Sequence, residues 1–171
     1  AETSRGVEVF FIMDACRTSE LPGGNEGMNF LNTAVSQKKA GEIMMLATAA
    51  GQESLEDSSI GNGHGLFTWY LVDGLSGVAD SISTADNKVT FQEIKRYVES
   101  NVPSVALQRF KRKQEPYFCC DENSEKVIST VNTAYLEKWL QTKRMQQRGP
   151  GNSFHGVINI LKKETVADTT L

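Results

Sequence analysis

Three residues in the stretch MDACR, Asp14, Cys16 and Arg17, have the types and spacing for chemistry on a polar substrate. A cysteine thiolate is a strong nucleophile near neutral pH, and a carboxylate two residues away can hold an amine or guanidinium by a charge-assisted hydrogen bond. The competing reading of Cys16 is a small buried hydrophobe. Against it, charged neighbours resist burial, and the glycine-rich LPGGNEGMNFLN downstream is long enough to fold over a peptide. Asp14 reads either as a partner for a cation or as a loop residue capping nearby amides. Arg17 either fixes the loop through a salt bridge or reaches solvent.

These residues need a rigid support, and the sequence supplies one. Val7, Val9, Phe10, Phe11, Ile12 and Met13 form a nearly continuous apolar run, which suits a central parallel strand covered on both faces. Such a strand delivers the residues after it to the crevice beyond the carboxyl ends of the sheet. Residues 18 to 35 read as a long loop, and EIMMLATA (42 to 49) as a second strand. In GHGLFTWYLVDGL, Leu66, Phe67, Tyr70, Leu71 and Leu75 fall near helical spacing, with Gly74 and Gly77 available to close the helix. Thr90 and Glu93 make a capping box, and Phe91, Ile94, Val98 and Val102 give the apolar stripe of a helix that should end before Pro103. PYFCC reads as a short further strand. Leu136, Trp139, Leu140 and Lys143 predict an amphipathic helix from Thr133 to Arg148, broken by GPGN, with VINIL (157 to 161) as a last strand. Alternating strands and helices imply an α/β fold, a mostly parallel sheet with helices on both faces.

Composition narrows the function. The chain has 171 residues, 39% hydrophobic and 23% charged, with a net charge of −3, as in an ordinary soluble domain. Nothing there marks a nucleic-acid or membrane partner, and the Lys111, Arg112, Lys113 cluster reads as a solvated face. No apolar run approaches the ~20 residues of a membrane span, and the N-terminus lacks the pattern of a signal peptide. Three cysteines make no disulfide framework, so Cys119 and Cys120 are expected to be structural thiols. No zinc-ligand spacing is present.

Ala15, Cys16 and Arg17 match the centre of the caspase nucleophile signature. With FFIMDACR as the strand ending in the nucleophile, IMMLATAAGQESLE as the next strand and specificity loop, HGLFTWYLVDGL as the following helix, ADNKVTFQEIKRYV as an acidic turn and helix, and QEPYF re-entering the sheet, the chain resembles the caspase-like cysteine peptidases over residues 6 to 120. Their bacterial homologues, the metacaspases and the clostripain-like enzymes are the nearest in pattern. The resemblance implies that Cys16 is the nucleophile and that its backbone N–H helps bind the oxyanion. True caspases have glutamine where this chain has Asp14, in a pocket that accepts aspartate. A carboxylate there should repel acidic side chains and attract Arg or Lys. Thr48 is expected to line the same pocket.

The family's general-base histidine lies on a strand upstream of the cysteine, and none of the fifteen residues before Cys16 is histidine. His64 is expected to cap or pack, and His155 lies far from any family motif. The first strands of the sheet are therefore expected to be absent from this chain. The histidine should then come from an upstream segment or from an N-terminal chain of the same precursor. The alternative is a catalytically silent caspase-like module that binds peptides or partner proteins. Residues 1 to 122 read as the nucleophile-bearing part of the catalytic domain and 123 to 171 as a C-terminal extension or the start of an appended region. No cofactor is expected. Calcium, which some metacaspases need, fits poorly, because Ile82 and Asn87 stand where an EF-hand loop wants a carboxylate and glycine.

Overall fold

The structure, a computed structural model, describes residues 9–15, Thr33, Ser36, 42–49, 51–119 and 125–147. Strand β1 (Val9–Met13) pairs in parallel with β2 (Glu42–Leu46), Val9 opposite Glu42 and Met13 opposite Leu46. Strand β6 (Tyr117–Phe118) joins the other side of β2 antiparallel, with Met45 opposite Phe118. In the order β1-β2-β6, β2 is buried from Ile43 through Leu46. β1 departs from the expectation of a strand covered on both faces. Among the described residues it has a partner only in β2, and Phe10, Phe11 and Ile12 are 40%, 43% and 48% exposed. Thr33 and Ser36 are helical, so the segment read as loop to residue 35 already contains helix at Thr33.

After β2 comes a small hairpin, β3 (Glu56–Asp57) and β4 (His64–Gly65), which leads directly into α1 (Leu66–Asp73). Of the two glycines expected to close the helix, Gly77 does so and Gly74 does not. Gly74 stays helical at φ −61°, and a π-helical turn carries the chain over Gly74–Val78, with Gly77 at φ +114° marking the break before α2 (Ala79–Ser81). Gly74 serves packing instead: a Cβ there would fall 2.2 Å from Cδ1 of Ile94.

Strand β5 (Lys88–Thr90) runs into α3 (Phe91–Phe110) through the expected capping box. Glu93 N donates to Thr90 Oγ1 at 3.3 Å, and Thr90 N donates to Glu93 Oε2 at 2.9 Å. Burial favours the protonated Glu93 carboxyl, but hydrogen bonds from Thr90, Thr84 and Ser83 outweigh it and hold the group below its ordinary range. Contrary to expectation, α3 runs through Pro103 for two more turns. Val98, Val102 and Ala106 are fully buried on one stripe, and their packing outweighs the hydrogen bond that proline cannot make. In the acidic turn before β5, Asp80 is itself buried and accepts from Asp86 N, Asn87 N and Thr84 Oγ1.

Strand β7 (Val127–Thr130) pairs antiparallel with β5, and α4 (Thr133–Gln147) lays Leu136, Trp139 and Leu140 against the core. Its fourth stripe residue, Lys143, is buried and donates to the fully buried Asp73 at 2.6 Å. Trp139 Nε1 donates to the same carboxylate at 2.8 Å, and so does the Tyr97 hydroxyl. Burial, then the Asp73 charge, pushes the Tyr97 phenol well above its ordinary value. Cys119 is buried but is disulfide-bonded, which corrects the expectation of a thiol; Cys16 and Cys120 both lie outside the described residues. VINIL and His155 also lie outside them, and among the described residues no helix is long and apolar enough to cross a membrane.

Candidate active site

The carboxyl ends of the two parallel strands meet where the sequence places its chemistry. Asp14 directly follows β1, and Thr48 lies two residues beyond β2; Ala47 N donates to Met13 O at 2.9 Å and keeps the two ends side by side. Cys16 and Arg17 lie outside the described residues. Thr48 is fully buried, whereas Asp14 is exposed.

Asp14 has a structural task that its sequence context offers only as the second option. The N-cap of helix α1 is Gly65, which has no side chain with which to cap it. Asp14 supplies the cap from β1: its Oδ2 accepts from Thr68 N at 3.2 Å and from Thr68 Oγ1 at 2.6 Å. A carboxylate at a helix N-terminus is also favoured by the helix dipole. Oδ1 accepts from Ser54 Oγ at 2.5 Å, which ties in the loop between β2 and β3. Glycine at 65 lets the carboxylate come this close, since a Cβ would stand 2.3 Å from Asp14 Oδ2 and push it off the helix.

That loop is held from the far side of the sheet. Gln114, fully buried, donates through Nε2 to Ala47 O at 3.1 Å and accepts at Oε1 from Leu55 N at 3.0 Å, so one amide closes the base of the loop. Gln52 and Glu115 form a second clasp: Glu115 N donates to Gln52 Oε1 at 2.7 Å and Gln52 Nε2 donates to Glu115 Oε2 at 2.8 Å. Bonds from Gln52 and then Lys113 hold the Glu115 carboxyl below its ordinary range. The basic cluster read as a solvated face is thus partly engaged, with Arg112 on Glu53 at 2.9 Å and Lys113 on Glu115 at 3.0 Å. Gln114→Leu keeps the volume but strands a buried N–H and a buried C=O. It is expected to cost about 1–3 kcal/mol per orphaned group. Urea unfolding measures this, and an unchanged midpoint would show that the two groups find other partners.

His64 stands next to Gly65, but its ring stacks on Trp69 with centroids 6.0 Å apart and planes 16° apart. Nothing in the sequence singles out Ser54, Thr68 and Gln114. Hydroxyls and amides are common, and only the fold brings residues 40, 54 and 67 positions apart onto one carboxylate or one loop.

The site is thus a carboxylate fixed at the mouth of a parallel strand pair, two residues before a cysteine, beside a loop braced from beneath. No curated protein and no solved structure matches the chain at a significant level. One family model does match, that of the caspase domain, over residues 3–128, which takes in both strands, the braced loop, α1, α3 and β6. With well over half of its length covered by that match, the chain belongs to the caspase-domain family of cysteine peptidases.

Proposed function

We propose that the chain is the nucleophile-bearing part of a cysteine endopeptidase that hydrolyses peptide bonds after Arg or Lys. The observation that carries the specificity is the exposed carboxylate of Asp14, fixed at the carboxyl end of β1 two residues before Cys16. The Cys16 thiolate attacks the scissile carbonyl carbon, and a histidine takes the thiol proton and gives it to the departing amine. Water then hydrolyses the acyl-enzyme. No step needs a metal or cofactor. Thr48, two residues beyond β2, is fully buried, so its part in the pocket is to back it from within the fold and not to touch the substrate.

The histidine comes from an upstream segment or from an N-terminal chain of the same precursor. Two features support this reading: the His64 ring is stacked on Trp69, and β1 carries exposed Phe10, Phe11 and Ile12, an apolar edge suited to receiving further strands. Intact mass spectrometry of native material should find a second, histidine-bearing chain or a longer precursor. Material of this mass alone, binding Arg peptides without turnover, would instead fit the silent module.

Asp14→Gln restores the neutral amide of true caspases. It is expected to lower kcat/KM on Arg and Lys substrates by roughly two to three orders of magnitude, since the substrate cation loses its charged partner. Unchanged selectivity would remove Asp14 from the pocket.

A further inference from the structure

The hydrogen bonds around Asp14 restrict how it can meet a cation. An ionised carboxylate offers about four acceptor positions, two on each oxygen. Oδ2 is filled twice by Thr68, from the backbone N–H and from the hydroxyl. Its side is also closed by backbone: the hypothetical Gly65 Cβ lies 2.3 Å from Oδ2 but 3.5 Å from Oδ1, so Oδ2 faces the start of α1 and Oδ1 faces away. Among the described residues Oδ1 takes one bond, from Ser54 Oγ at 2.5 Å.

We infer that Ser54 and Thr68 are specificity-determining residues: they leave Asp14 one open acceptor position, on Oδ1, so that the pocket holds its basic side chain by a single charge-assisted hydrogen bond and separates Lys from Arg only weakly. This rests on the reading of Asp14 as the residue that meets the substrate cation. An arginine gains over lysine when its planar fork engages both carboxylate oxygens at once. With Oδ2 saturated that grip is closed, while a lysine ammonium, acting as a point charge, loses nothing.

The test is a competition titration on the full-length protein. Matched product-like peptides ending in Arg, Lys or citrulline displace a fluorescent Arg-terminated peptide. Arg and Lys peptides are expected to bind within about tenfold of each other. Citrulline, which keeps the shape of arginine without its charge, is expected to bind more weakly than both. Thr68→Val frees a position on Oδ2 and should raise the Arg-over-Lys ratio severalfold, whereas Thr68→Ser, which keeps the hydroxyl, should not. A wild-type preference for Arg beyond about tenfold would overturn the inference, as would a ratio unmoved by Thr68→Val. Should Thr68→Val fail to fold, the wild-type ratio decides alone. Citrulline binding as tightly as arginine, or no binding by any peptide, would overturn the underlying reading of Asp14 itself.

Discussion

Lys143→Ala should destabilise the folded chain by about 3–5 kcal/mol, a large part of the stability of a domain this size. Asp73 is fully buried and is met by Lys143, Tyr97 and Trp139. Removing the ammonium leaves a buried carboxylate with two neutral donors, which does not repay its desolvation. Lys143 Nζ also lies over the Trp69 ring, 5.4 Å from its centre, so part of the loss is packing. The two tryptophans of the chain, Trp69 and Trp139, both flank this pair, so their fluorescence reports its loss directly during urea unfolding. The double variant Asp73→Asn with Lys143→Met should recover most of the loss, because it removes both charges and keeps the volume. A loss under about 1 kcal/mol for Lys143→Ala would mean that the pair is not closed in solution.

Cys16→Ala carries the largest expected effect on activity. If Cys16 supplies the attacking sulfur, its loss removes the covalent route altogether. Turnover of Arg and Lys peptides by the full-length enzyme should then fall by roughly four to six orders of magnitude. Binding of those peptides should persist if Asp14, Ser54 and Thr68, which the change leaves untouched, hold the substrate as proposed. Hydrolysis retained within about tenfold would remove Cys16 from the nucleophile role, and lost binding with lost activity would instead indicate damage to the loop.

Local patterns in the sequence reach the parts of the fold set by near neighbours. The capping box at Thr90 and Glu93 and the apolar stripes of α3 and α4 are each decided within a few residues, and they form as expected. The family is legible as well, because several short motifs occur in the right order. The features that stay hidden depend on distant partners. The stripe read from the sequence stops at Val102, and nothing near Pro103 says that Ala106 will be buried deeply enough to carry the helix onward. Gly74 looks like a helix terminator until the side chain of Ile94 is packed against it. Asp73 and Lys143 are 70 positions apart and ordinary in their own windows, and only the docking of α4 turns them into a buried pair. Asp14 stands out as chemistry in the sequence, but its cap on α1 depends on a contact 54 positions away.

That double employment limits how the selectivity of the site can drift. If Asp14 meets the substrate cation as proposed, a change there alters the pocket and also uncaps a helix whose own N-cap residue is a glycine, at a cost of about 1 kcal/mol of stability. Ser54 bears no such burden towards α1: it touches the same carboxylate from a loop held separately by Gln114 and by the Gln52–Glu115 clasp. On that reading, variation that retunes the site without uncapping α1 is channelled to position 54, while Asp14 answers to both tasks at once.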